Sequence, residues 1–132
     1  MFYDDELRKV VDVAMAIVPR IEDKDLWDTY LVNLQDYELE KVQINSKGYG
    51  DLNGEKIRTT TLKHYFETLA PKEAVRVEPI QRRLFSLTNE YWLNFHKDGY
   101  SFDKRYVFVI GSINPEYFTY VPILQKFGVM IR

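Results

Sequence analysis

Residues 90–110 read EYWLNFHKDGYSFDKRYVFVI, and their pattern decides the fold. Tyr91, Leu93 and Phe95 alternate with Trp92, Asn94 and His96, while Phe102, Lys104, Tyr106 and Phe108 share one face of a second run that ends at Gly111. Alternation with a period of two suits a pleated strand with one face buried. Between the runs stands Lys97-Asp98-Gly99. Asp-Gly is the pair that a two-residue hairpin turn favours, because both of its residues take positive φ. The stretch predicts an antiparallel hairpin, with Tyr91, Leu93, Val107 and Val109 as candidate core positions.

The same alternation recurs on the N-terminal side. Val11, Val13, Met15 and Ile17 alternate with Asp12, Ala14, Ala16 and Val18 up to Pro19, although Leu7, Val10, Val11 and Ala14 also fit a helical face. Further strands are expected from Trp27 to Leu34, Leu39 to Ser46, Ile57 to Thr61 and Ala74 to Ile80. In the last of these, Val75 and Val77 face one way and Arg76 and Glu78 the other. Ser46-Lys47-Gly48-Tyr49-Gly50, followed by Asn53-Gly54, reads as a loop with positive φ angles. Residues 62–69 fit either a strand or a short helix, and the three threonines before them favour extended chain. The tail from Asn114 carries Pro115 and Pro122 and is expected to be irregular, apart from a short strand at Val129 to Ile131.

Seven or eight short strands without a crossover helix exclude parallel βαβ folds. The fold expected is all-β: an antiparallel β-sandwich, immunoglobulin- or fibronectin-III-like, with a barrel as the competitor. The 132 residues make one domain, with residues 1–9 as an N-terminal extension.

Composition narrows the chemistry. The chain carries 18 basic and 20 acidic side chains for a net charge of −2, with 10 Tyr, 8 Phe and no Cys. Zinc-thiolate sites, disulfides and thiol nucleophiles are therefore excluded. Residues 1–40 hold 4 basic and 11 acidic side chains; the remainder hold 14 and 9. That split fits neighbouring strands with alternating surface charge, or a basic face for an acidic partner. The acidic start lacks the pattern of a secretory signal, no apolar stretch is long enough to cross a bilayer, and no lipidation motif is present, so a cytoplasmic protein with no membrane partner is expected.

His64 and His96 lack the close spacing of a metal site, and no catalytic elbow or P-loop order is present. The acidic clusters lack a twelve-residue calcium loop. Catalytic residues, metal ligands and cofactors are accordingly expected to be none. Aromatics interleave with bases at Tyr91-Trp92 and Lys104-Arg105-Tyr106, but the net charge argues against nucleic acid. The candidate binding residues are Lys47, Gly48, Tyr49 and Gly50, with His64 beside them. The Gly48 and Gly50 amides and Lys47 would receive an anionic or carbonyl group, and Tyr49 would stack. The function expected is a non-enzymatic interaction module with a protein partner or self-association. The alternative is a small translation- or RNA-associated protein or a minor enzyme.

Asp12-Val13, Ala16-Ile17-Val18-Pro19, Trp27, Tyr30-Leu31-Val32-Asn33, Ser46 to Gly50, Asn53-Gly54-Glu55, Thr59-Thr60-Thr61-Leu62-Lys63-His64 and Leu87-Thr88-Asn89-Glu90-Tyr91-Trp92 carry a resemblance. From Val10 to Arg132 the chain resembles a family of short uncharacterised bacterial proteins often labelled phenylalanyl-tRNA synthetase alpha subunit. In that family the threonine stretch usually reads Thr-Ser-Thr-Leu-Arg-His. The resemblance implies no activity, ligand or catalytic residue. The synthetase label itself does not fit this sequence. Arg76-Val77-Glu78 has the Arg-x-Glu spacing of an ATP-gripping motif, but Val75 replaces the expected Phe. The Gly-rich motif and the long helical arm are also missing.

Overall fold

A computed structural model describes residues 9–132, so the expected N-terminal extension lies almost wholly outside the described residues. Two hairpins show how the sequence becomes sheet. Asp98 and Gly99 adopt φ of 51° and 79°, and Asn53 and Gly54 adopt 55° and 83°. Positive φ at both central residues gives turns whose twist matches the strands they join. The first turn links β7 (Thr88–Lys97) to β8 (Tyr100–Phe108) in continuous antiparallel register, with Tyr91 opposite Tyr106. The second links β3 (Leu39–Leu52) to β4 (Glu55–Arg58).

The described residues form ten strands rather than the expected seven or eight. β1 (Val13–Pro19), β2 (Leu26–Asn33), β6 (Glu73–Gln81), β9 (Thr119–Val121) and β10 (Lys126–Ile131) form one sheet in the order β6-β2-β1-β10-β9. β4, β3, β7 and β8 form the second in that order, and β5 (Leu62–Leu69) also pairs with β3. Every pairing is antiparallel. The two sheets share one apolar interior that includes Met15, Ile17 and Leu31 from the first, and Ile44, Tyr91, Leu93, Phe95, Tyr106 and Phe108 from the second. Burial of such faces stabilises by about 25 cal/mol per Å² of apolar surface.

Several expectations change. Residues 46–50 are not a loop, because β3 runs through them to Leu52. The reason is packing. A Cβ on Gly48 would stand 3.2 Å from both Asn89 Oδ1 and Thr59 Cγ2, and one on Gly50 would stand 3.3 Å from Leu87 Cδ2. These glycines make room for neighbours rather than for a turn. Residues 62–69 are strand, the alternative that the three threonines before them favour. Val107 is only half-buried and Val109 is 56% exposed, because Tyr106 and Phe108 take the inward positions of β8. The tail contributes β9 and β10, and β10 pairs with the outer side of β1.

β6 holds the irregularity that matters most for the site. Thr29 faces Glu78 and Tyr30 faces Arg76, so Val77 is an extra residue in the ladder. Such a bulge re-aims the side chains next to it. Val77 enters the core, and Glu78 turns inward after it instead of outward with Arg76.

Candidate functional site

Among the described residues three carboxylates are nearly buried. Asp28 on β2 is held by Arg20 at 2.9 Å and Arg76 at 3.2 Å. Glu78 lies between the sheets and Glu90 on an outer face, and these two stand beside the residues nominated from sequence. Glu78 is the inner one, its side chain only 10% exposed. Ser46 on β3 donates to Glu78 Oε1 at 2.7 Å, His64 Nε2 on β5 lies 2.6 Å from the same oxygen, and Tyr91 on β7 donates to Oε2 at 3.3 Å. Each donor sits on an inward position of the second sheet, while Glu78 belongs to the first. The group thus joins the sheets through a single carboxylate. Burial, followed by the nearby Glu78 charge, pushes the Tyr91 phenol well above its ordinary range, which keeps it a donor.

A cleft of about 270 Å³ opens beside this clasp, lined by Ser46, Gly48, Thr60, Ile80, Leu84 and Tyr91 among others, with Lys47 and Arg83 also contributing. Its chemistry is largely committed. Gly48 N–H donates to Thr59 Oγ1 at 2.7 Å, and Asn89 Nδ2 donates to the carbonyls of Leu84 and Leu87. A hydrolytic triad needs the imidazole between the hydroxyl and the acid. Here Ser46 and His64 both address the acid, so a relay in that order does not form. Among the described residues no group of three or more His, Cys, Asp or Glu side chains is placed to hold a metal ion.

Glu90 is the outer carboxylate, its side chain 6% exposed. Lys47 Nζ stands 3.7 Å from Oε2, Arg105 Nη1 stands 3.8 Å from Oε1, and Tyr49 donates to Oε1 at 3.3 Å. Lys47 Nζ also lies 5.9 Å from the Tyr49 ring centroid, and the Arg105 guanidinium lies 5.6 Å from that of Trp92. At these separations cations meet the negative faces of the rings. Register fixes what surrounds them. Lys63, Asn45, Trp92 and Arg105 run across β5, β3, β7 and β8 as one outward row, and Tyr65, Gln43, Asn94 and Asp103 form the next. Trp92 is 47% and Tyr65 53% exposed. A hydrogen bond to Glu67 at 3.0 Å, then burial, raises the Tyr65 phenol above its ordinary value.

The residues nominated from sequence divide between these places. Lys47 and Tyr49 stand on the outer face around Glu90, Gly48 lines the cleft, Gly50 lies against Leu87, and His64 belongs to the Glu78 clasp. The Gly48 amide already has Thr59 as its acceptor, so it does not offer the free donor expected of it. Glu78, Ser46 and Trp92 were missing from the nomination. Strand parity signalled Trp92 and Arg105, which lie opposite each other about the Asp98-Gly99 turn. No local signal marked Glu78, because only the bulge turns it inward. No family model, curated protein or solved structure matches this chain. No helix among the described residues is long and apolar enough to cross a membrane.

Proposed function

We propose that the chain is a non-enzymatic binding module that meets a partner through the outer face of β3, β5, β7 and β8. The observation that carries this reading is the pair of exposed rings, Trp92 and Tyr65, beside side chains already oriented around Glu90. Preorganised groups lose little freedom on binding, so more of their contact energy appears as affinity. The inner cleft serves the reading less well, because its acid, imidazole and hydroxyls are spent on one another.

An immunoglobulin- or fibronectin-like kinship belongs to the same proposal. The order β6-β2-β1 in one sheet and β3-β7-β8 in the other supports it, since the first, second and fifth strands of that plan, and its third, sixth and seventh, are neighbours in the same way. β4 and β5 beside β3, and the β9–β10 hairpin beside β1, are additions to that core. A cytoplasmic location and kinship with the short bacterial family are further parts of the proposal.

The test is capture from cell extract by the wild-type chain, the Lys47→Ala/Tyr49→Ala pair and Trp92→Ala. Partners lost from both variants support the face, and identical partner sets count against it. A second reading, a small enzyme or RNA-associated protein, draws on the cleft beside His64 and Glu78. Filter binding of tRNA at two salt concentrations checks its RNA branch, where phosphate contacts would make binding strongly salt-dependent.

A further inference from the structure

Resting on the outer-face reading, we infer that the partner met there is a neutral oligosaccharide. Each of the two rows sets one ring, Trp92 or Tyr65, next to an amide that both donates and accepts hydrogen bonds. Asn45 lies between Lys63 and Trp92, and Gln43 lies between Tyr65 and Asn94. Both amides are exposed, and among the described residues neither has a side-chain partner. An amide offers a carbonyl acceptor and two N–H donors. Adjacent hydroxyls of a sugar ring ask for that combination, whereas an apolar protein surface leaves it unused. The C–H face of the same ring is apolar and packs flat on an aromatic side chain, as other apolar groups do.

Spacing and charge favour a chain of sugars over the competitors. Trp92 and Tyr65 are separated by two strand spacings and a two-residue step, about 10 Å across and about 7 Å along the strands. One ring does not bridge that gap, and a short oligosaccharide does. Arg105 stands two residues from Asp103 on β8, Lys63 shares the outward side of β5 with Glu67, and Glu90 lies between Lys47 and Arg105. The basic residues are therefore matched by acids within the same face. A single-stranded nucleic acid needs an unopposed positive track along its phosphates, which is absent here. A protein partner would use the same Trp92, Tyr65 and Arg105, since interfaces are rich in these residue types, so it is the unpartnered amides that favour the sugar and the capture arm of the test that separates the two.

The experiment is affinity electrophoresis of the wild-type chain in native gels cast with neutral polysaccharides, namely a mixed-linkage β-glucan, a xylan, a galactomannan and glycogen, with polyuridylate as the charged comparison. Retardation is expected in at least one neutral gel, unchanged between about 50 and about 200 mM salt. Trp92→Ala and Tyr65→Ala should each weaken it about tenfold. Arg83→Ala, in the cleft, should leave it unchanged. Both face substitutions replace exposed rings, and unaltered thermal melts show that the variants are folded. Failure of all four neutral polysaccharides to retard the chain overturns the inference. So does retardation that survives Trp92→Ala and Tyr65→Ala, or binding to polyuridylate that is lost at the higher salt. If the sugars fail while Trp92→Ala still removes a captured partner, the sugar falls and the outer-face reading stands. If neither binding nor capture depends on Trp92, both fall.

Discussion

Glu78 and Glu90 are both nearly inaccessible to solvent, yet they are held in opposite ways. Glu78 is met by a serine, a histidine and a tyrosine within 3.3 Å, delivered by three strands of the facing sheet. Glu90 is met by two cations at 3.7 and 3.8 Å whose own side chains are 38% and 56% exposed. The first arrangement has short hydrogen bonds and little water, so its loss leaves several buried donors without an acceptor. The second has longer ion pairs whose cations solvent can still reach, so if the carboxylate is lost Lys47 and Arg105 turn to water. One carboxylate holds the fold together, and the other arranges a surface.

Substitutions can break that contrast. Glu78→Ala should have the largest effect, lowering the free energy of unfolding by about 3 kcal/mol in equilibrium denaturation, because Ser46, His64 and Tyr91 lose their common acceptor. An effect near zero would mean that the donors find other partners. Alkaline pH sharpens the same point. Burial raises the Tyr91 and Tyr106 phenols above the ordinary value of 10.0. In the unfolded chain they lose their protons near that value, while the folded chain keeps them. The folded state then binds more protons, so the stability these groups supply is complete below about pH 10 and falls as the pH rises beyond it. Melting temperatures across that range should show the decline.

Smaller effects belong to the outer face. Glu90→Ala should cost about 1 kcal/mol, since Lys47 and Arg105 return to solvent rather than to an unpaired interior. Trp92→Ala should change stability by no more than about 0.5 kcal/mol, while altering whatever this face binds. A large loss of stability there, measured by the same denaturation, would make the tryptophan a structural residue and remove the contrast.

Much of the sandwich was legible because local chemistry and global structure agree. The Asp98-Gly99 and Asn53-Gly54 turns sit where the sequence places them, and alternation in residues 90–110 puts Tyr91 and Leu93 in the interior as expected, whereas on β8 the expected parity is the wrong one, with Val107 and Val109 nominated for places that Tyr106 and Phe108 fill. The β9–β10 hairpin was not legible as a whole. Pro122 and Gly128 interrupt its pattern, and Gly128 is required by a close approach, since a Cβ there would stand 2.5 Å from the Ile17 carbonyl oxygen. Residues 46–50 were misread because glycine serves close packing as well as turns.

The two polar regions differ in the same respect. Trp92, Arg105, Lys47 and Tyr49 follow strand parity, so a reader who extends the alternation places all four outside. Glu78 breaks parity. Alternation sends it outward with Arg76, and the extra residue Val77 returns it to the interior. A bulge depends on how β2 and β6 align, which no short window of sequence contains. The partnership of Glu78 with Ser46 and His64 is likewise long-range, set by the meeting of two sheets.

A double-mutant cycle on His64 and Glu78 tests the clasp most directly, with unfolding free energies measured for the wild-type chain, His64→Ala, Glu78→Ala and the double variant. The pair lies 2.6 Å apart across the two sheets, and a coupling of at least about 1 kcal/mol is predicted. Additive losses, with a coupling within about 0.3 kcal/mol of zero, would contradict the claim that this carboxylate joins the sandwich.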